Sequence, residues 1–161
     1  MDPKVQYVVI TDADYTYPTE QLPGMLKLLD ENAAVGMVCG NRFNGDVDKK
    51  ALREVFFVGN RLICFAHNFL NGIQLEDPLT GLRVVRAEIL RGWVPQSKGF
   101  DIEVELNHLV ERKGFGIVEV PIRYRPRLGE KKLKARHGAT ILRRILIESV
   151  LDNTPSDLFK N

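Results

Sequence analysis

The 161-residue chain has little cysteine, histidine or tryptophan: two, three and one respectively. Cys39 and Cys64 form no C-x-x-C pair and no His/Cys cluster, which argues against structural zinc and for reduced core thiols. His67, His108 and His137 are scattered, with no two at metal-ligand spacing, and take no assigned role. No apolar run approaches the roughly 20 residues needed to span a bilayer. No signal-peptide pattern opens the chain, and there are no repeats or low-complexity tracts. These absences exclude a disulfide-stapled scaffold, a helical membrane protein and a disordered chain. One globular domain is expected, with a cytoplasmic location.

The 23 bases and 21 acids nearly cancel, at a net +2, but they are unevenly spread. Between Arg123 and Arg144 stand nine bases (Arg123, Arg125, Arg127, Lys131, Lys132, Lys134, Arg136, Arg143, Arg144) against Glu130 alone. The rest of the chain is net acidic. A polyanion near the C-terminal end is the expected partner: phosphates, an anionic membrane surface or nucleic acid. No aromatic interleaving or nucleic-acid motif accompanies the bases, so nucleic acid ranks last.

The informative stretch is Val8-Val9-Ile10-Thr11-Asp12-Ala13-Asp14-Tyr15-Thr16-Tyr17-Pro18. A short apolar strand ends in two carboxylates at i, i+2, then in a turn closed by proline. The carboxyl ends of strands are where open α/β sheets bind ligands. Mg²⁺ takes one or two carboxylates plus phosphate oxygens. Asp12 and Asp14 therefore read as a metal–diphosphate handle, with the plain alternative of an Asx turn before a helix. Thr16 is either a further ligand through its hydroxyl or a helix-initiating residue.

Along the chain, residues 5–11 read as a strand and 19–32 as a helix with Leu22, Met25, Leu26 and Leu29 inward. Residues 35–39 form a strand, and 44–53 a polar loop. The spacing predicts a helix over 55–70, with Phe57, Leu62, Phe65, Ala66 and Phe69 facing the core and Asn71-Gly72 ending it. A turn at 77–83 feeds a strand over 82–85; short and longer helices follow at 87–92 and 100–112, the latter with Ile102, Val104, Leu106 and Leu109 apolar. A strand over 115–124 contains Pro121, which implies an edge or a bulge. A basic loop, 125–137, precedes an amphipathic helix over 139–152. That helix has Ile141, Leu142, Ile145 and Leu146 on one side and Arg143, Arg144 and Glu148 elsewhere; it packs on the sheet or lies on a membrane. Alternating strands and helices give an α/β sheet. A carboxylate-bearing strand belongs in the middle of such a sheet, and few strands follow it here. One edge of Val5–Ile10 is therefore expected to lack partners.

Several blocks, in order, resemble family 2 glycosyltransferases of the GT-A fold, in particular the dolichyl- and polyprenyl-phosphate hexose synthases. Thr11-Asp12-Ala13-Asp14-Tyr15-Thr16-Tyr17-Pro18 resembles their metal-binding Asp-x-Asp block, and Gly40-Asn41-Arg42-Phe43 a donor-diphosphate block. Asp77-Pro78-Leu79-Thr80-Gly81-Leu82-Arg83 is similar to the acceptor-side block. Gly99-Phe100-Asp101-Ile102-Glu103 and Glu119-Val120-Pro121-Ile122 resemble scaffold blocks. Arg127-Leu128-Gly129-Glu130-Lys131-Lys132-Leu133 is similar to the family's Arg-x-Gly-Glu-Ser-Lys-Leu loop, with Lys131 in place of Ser.

The resemblance implies a partial GT-A mixed sheet flanked by helices, without its N-terminal βα units. Residues 1–137 would be the C-terminal portion of the catalytic domain, and 138–161 an amphipathic helix and tail. It implies inverting transfer of mannose or glucose from GDP-mannose or UDP-glucose to a polyprenyl or dolichyl phosphate, with Mg²⁺ or Mn²⁺. Asp12, Asp14 and Thr16 would hold the metal, and Arg42 and Arg83 the donor diphosphate. Arg127 and Lys132 would hold the acceptor phosphate, and Asp77 would be either the base or a positioning group. Further partners implied are a membrane surface at its cytoplasmic face and a second copy or a complementing N-terminal half. The alternative is a split half acting as a binding module.

Overall fold

The computed structural model describes residues 1–44, 57–72, 74–126 and 135–152. Strands β1 (Tyr7–Ile10), β2 (Val35–Asn41), β3 (Arg83–Arg86) and β4 (Gly116–Pro121) form one sheet in the order β1-β3-β2-β4. β3 runs antiparallel to both β1 and β2, whereas β2 and β4 are parallel. The helices are α1 (Leu22–Glu31), after a 3₁₀ turn at Thr19–Gln21, then α2 (Phe57–Asn71), α3 (Ala87–Leu90), α4 (Ile102–Arg112) and α5 (Ala135–Asp152).

Strand alternation assigns each face its own layer. Val38, Val84 and Leu82 pack with Met25 and Leu29 of α1 and with Tyr17, Ile122 and Tyr124. The next residues along the same strands, Met37, Cys39 and Val85, pack on the other face with Ile89 of α3 and Leu106, Leu109 and Val110 of α4. The result is a sheet sandwiched between α1 and α4. Gly36 permits the close approach of the second layer, since a Cβ there would lie 2.5 Å from both Ile89 and Phe115 side-chain atoms. Cys39 is buried in this layer, and burial pushes its thiol up to about 11. Both cysteines are free thiols.

β1 lies at the end of the sheet rather than in its middle. Among the described residues no strand flanks its outer edge, and Val9 and Ile10 are exposed there. Pro121 sits on β4, the opposite edge strand, where a missing N–H is tolerated.

The α2 expectation is overturned. Its buried residues are Ile63, Cys64 and His67, while Leu62, Phe65 and Phe69 are 61%, 66% and 75% exposed. Ala66 is half-buried, and the side chain of Phe57 lies outside the described residues. The period of the stripe holds but its sense is reversed, because a set built around His67 takes the inward side. In α4, Val104, Leu106 and Leu109 are buried as expected, but Ile102 is exposed. α5 packs through Ile141 and Ile145 onto Ile63 of α2 and Val104 of α4. Arg144 is not part of an open basic face. It reaches Asp101 (3.4 Å), Glu105 (3.8 Å) and Glu148 (3.3 Å), and Arg112 caps the same Glu148 at 2.6 Å. Among the described bases of this segment, Arg123 and Arg143 are exposed whereas Arg144 is drawn inward to carboxylates.

Candidate active site

Asp12 and Asp14 leave the carboxyl end of β1 in a turn whose backbone is constrained. Tyr15 has φ of 69°, a left-handed conformation uncommon for a bulky side chain. The turn is held by Asp14, whose Oδ1 accepts from both the Thr16 amide (3.2 Å) and the Thr16 hydroxyl (2.5 Å). Thr16 is fully buried. Its hydroxyl therefore orients Asp14 and, in this conformation, faces no solvent-side ion. Arg125 stacks 4.9 Å over the Tyr15 ring and bonds Glu20 at 2.8 Å, closing the outside of the turn.

The loop between α2 and β3 comes up against this turn. A Cβ on Gly81 would stand 2.8 Å from Asp12 Oδ2 and 3.0 Å from the Tyr17 ring. The Gly81 amide donates to the Tyr17 hydroxyl at 2.7 Å. Burial drives that phenol up to about 12, so it stays neutral. Residues 69 apart in sequence, Asp12 and Gly81, are thereby in contact through the absence of a side chain.

The loop is fastened on several sides. Glu119 of β4 accepts the amides of Glu76 and Asp77, each at 2.7 Å. Arg83, only 1% exposed, donates to the carbonyls of Pro78 (2.7 Å) and Thr80 (2.9 Å) and to Asn107 Oδ1 of α4 (2.5 Å). Asn107 Nδ2 donates to Pro78 O at 3.1 Å and lies 3.4 Å from His67 Nε2. Asn68 of α2 both donates to Leu75 O (2.7 Å) and accepts its amide (3.2 Å). Arg83, expected at the donor diphosphate, is instead enclosed by the loop it stabilises.

Asp77 is also 1% exposed, and its partner is Arg42. The guanidinium bridges it bidentately, Nε to Oδ2 at 2.7 Å and a terminal nitrogen to Oδ1 at 2.6 Å, and the Arg42 amide adds a bond of 3.0 Å. Desolvation alone would weaken the Arg42 charge, but the charge and hydrogen bonds of Asp77 oppose it, and Arg42 stays well above its usual pKa. Phe43 and Tyr124 flank the guanidinium at 5.8 and 5.7 Å. The pair joins the end of β2 to the Asp77 loop, a fork geometry that lysine could not supply.

Glu103 opens α4 on the same side. Burial raises its pKa, while Arg83 and Arg42 pull it down and Asp12 pushes it up. Its Oε2 is buried with no hydrogen-bond partner among the described residues. Sequence reasoning placed Glu103 and Glu119 in scaffold blocks and gave Tyr17 and Asn107 no role. Only the paired hydroxyl and amide contacts reveal them. Arg127 and Lys132 lie outside the described residues.

The donor set suits a hard cation. Two carboxylates at one turn supply anionic oxygens, and phosphate oxygens of a bound diphosphate complete such sites. Among the described residues no three His, Cys, Asp or Glu side chains converge to hold an ion without that help. No described helix is long and apolar enough to cross a membrane.

Solved structures share this fold. Glucosyl-3-phosphoglycerate synthase from Mycobacterium tuberculosis, crystallised with phosphoglyceric acid, superposes with a TM-score of 0.66 at 17% identity, over 90% of this chain and 50% of that one. The same enzyme has been crystallised with Mn²⁺, UDP-glucose and phosphoglyceric acid. The fold is that of the GT-A glycosyltransferases. No protein-family model matches the sequence. Individual relatives do: a dolichyl-phosphate hexose transferase of Haloferax volcanii is 32% identical over 145 residues, 90% of this chain and 61% of that protein. An undecaprenyl-phosphate mannosyltransferase of Micrococcus luteus is 31% identical over 137 residues, 78% of this chain and 52% of the relative. The chain is a homologue of the dolichyl- and polyprenyl-phosphate hexosyltransferases, and it spans about half to three-fifths of the length of these two.

Proposed function

We propose that this chain carries the diphosphate- and acceptor-side half of a polyprenyl-phosphate hexosyltransferase. The donor is a nucleotide-sugar, GDP-mannose or UDP-glucose, and the acceptor is a polyprenyl or dolichyl phosphate. The observation that carries the reading is the contact between Asp12 and Gly81, which sets the carboxylate turn against the Asp77 loop. Asp12 and Asp14 hold Mg²⁺ or Mn²⁺ together with the donor diphosphate, and Thr16 keeps Asp14 oriented. The metal, when bound, neutralises charge on the departing nucleoside diphosphate. Arg42, pinned by Asp77, would add its positive charge to the field acting on the same phosphates. Arg127 and Lys132 take the acceptor phosphate.

An acceptor oxygen displaces the diphosphate at the anomeric carbon from the opposite face, so the configuration inverts. A phosphate monoester has a second pKa of about 6 and needs little deprotonation near neutrality. Asp77, engaged with Arg42, therefore positions that arginine rather than collecting a proton. Work takes place at the cytoplasmic face of a membrane, where the lipid acceptor lies.

Calorimetric titration of Mn²⁺ with GDP and with UDP into the chain tests this. Metal-dependent nucleotide binding that disappears in Asp14→Ala supports the reading; nucleotide binding indifferent to both metal and Asp14 refutes it.

A second reading is favoured by the exposed outer edge of β1. In it, a complementing polypeptide or a second copy pairs with Tyr7–Ile10 and completes the nucleotide site. Transfer activity that appears only when an N-terminal half is added would select it.

A further inference from the structure

Among the described residues, Tyr15 is the one non-glycine residue on a left-handed backbone, with φ of 69°. It stands between Asp14 and Thr16, so the torsion that strains it also sets the direction of the Asp14 carboxylate. From inside, the turn is held by the two bonds that Asp14 Oδ1 accepts from Thr16 and by the Gly81 amide on the Tyr17 hydroxyl. The Tyr15 ring lies outside the buried clusters and is 59% exposed. A bulky residue in this conformation needs a hold from outside, or the turn relaxes toward ordinary backbone and the carboxylate swings with it.

Arg125 supplies that hold at three points. Its backbone N–H donates to Thr16 O at 2.9 Å. Its guanidinium lies 4.9 Å over the Tyr15 ring. A terminal guanidinium nitrogen donates to Glu20 Oε1 at 2.8 Å, in the 3₁₀ turn that leads into α1. The preceding residue, Tyr124, meets Tyr17 edge-on at 5.4 Å, so the chain leaving β4 is laid along the turn. One side chain thereby spans the turn from Tyr15 to Glu20. Taken alone, an exposed ion pair or cation–π contact is a small effect. Here the residue being pinned is strained, so a small bias has leverage on which backbone arrangement is populated.

We propose that Arg125 is a positioning residue for the Asp12–Asp14 turn: it holds Tyr15 in its left-handed conformation and so keeps the Asp14 carboxylate directed for metal and diphosphate. It acts through Tyr15 and touches neither ligand. This rests on the metal–diphosphate reading proposed above.

The test is a double-mutant cycle of Arg125→Ala and Tyr15→Gly. It is read by amide hydrogen exchange of the metal-free chain and by calorimetric titration of Mn²⁺ with GDP. Glycine adopts the left-handed backbone without steric cost, which removes what the Arg125 contact is for. Arg125→Ala should speed exchange at the Thr16 amide by about fivefold, the size of one exposed cation–π contact and one exposed ion pair together. Mn²⁺-dependent GDP binding should weaken by about the same factor. The urea midpoint and the exchange of α4 amides should stay at wild-type values. In the Tyr15→Gly chain the same substitution should change neither readout. Unaltered Thr16 exchange in Arg125→Ala overturns the inference. So does an equal loss of GDP binding in both backgrounds, which would make Arg125 a charge acting on phosphate, or a fall in urea midpoint large enough to account for the faster exchange. A wild-type chain that binds no Mn²⁺–GDP would sink the hexosyltransferase reading, while the exchange result still decides whether Arg125 holds the turn.

Discussion

Replacing Asp77 by asparagine separates a positioning role from a proton-transfer role. The carboxylate is 1% exposed, takes two bonds from the Arg42 side chain at 2.7 and 2.6 Å, and accepts the Arg42 amide at 3.0 Å. Removing one partner of a buried ion pair costs about 3–5 kcal/mol, because the other charge stays buried without compensation. Asparagine is isosteric and can still accept one of the bonds, which places the loss near the lower end, about 3 kcal/mol. Against a domain stability of roughly 5–15 kcal/mol this is a large fraction. With a urea slope of about 2 kcal/mol/M, the unfolding midpoint followed by circular dichroism should fall by about 1.5 M. The pair can also be removed as a unit. Arg42→Met/Asp77→Leu should recover most of the lost stability, since an apolar replacement of both partners is commonly neutral. A solvent-facing general base predicts something else: Asp77→Asn within about 0.5 kcal/mol of wild type, with turnover lost. An Asp77→Asn variant that unfolds at the wild-type urea concentration would refute the anchoring argument.

Gly81→Ala should cost about 1–3 kcal/mol, because its Cβ would meet Asp12 Oδ2 at 2.8 Å and the Tyr17 ring at 3.0 Å. The same substitution should weaken Mn²⁺–nucleotide binding, measured by calorimetry, since Asp12 is the group that must yield. Glu103 has a pKa raised chiefly by burial, so the folded chain binds its proton more tightly than the unfolded one. Its contribution favours folding below the unfolded carboxyl range and is lost as pH rises through the raised folded value. Glu103→Gln should therefore stabilise the fold near about pH 7 and lose that advantage toward about pH 4, by urea denaturation at each pH. If the described site recognises metal and diphosphate but not the base, inorganic pyrophosphate should compete with Mn²⁺-dependent GDP and UDP binding about equally, within roughly threefold or about 0.7 kcal/mol. Strong preference for one nucleotide would place base recognition within these residues.

The strand ending in Asp12 and Asp14 was legible because its signal is local: an apolar run, then paired carboxylates, then a proline. Pro121 announced an edge or a bulge for the same reason, and it lies on an edge strand. The inward sense of α2 was not legible. Period alone gives two opposite faces, and the greasier one, Leu62, Phe65 and Phe69, is outside because His67 and Asn68 engage Asn107 and Leu75. Arginines posed a related difficulty. Arg42, Arg83 and Arg144 look alike in sequence, yet Arg83 is wrapped by carbonyls and Arg144 by three carboxylates. A side chain's partners come from elements 24 to 43 residues away in the cases of Asn107 and Asp101, and spacing carries no record of them. Tyr17 and Glu119 escaped notice because their work is done on backbone amides, which every residue supplies.

The division between what is secured and what is open follows the sheet order. The described fastenings of the Asp77 loop come from inside the chain: Glu119 from β4, Arg42 after β2, Arg83 from β3, Asn107 from α4, Asn68 from α2 and Tyr17 from the turn after β1. Those contacts are satisfied without any strand beyond β1. The Asp77 loop is therefore as rigid as the core that carries it. Asp12 touches that rigid side through Gly81, but the strand that delivers it is an end strand with Val9 and Ile10 exposed. End strands are the places where sheets open locally and where further strands add. The Asp12–Asp14 turn thus has one fixed wall and one adjustable wall. Whatever pairs with the outer edge of β1 would act on Asp12 and Asp14 directly, and on the Asp77 loop only through Gly81.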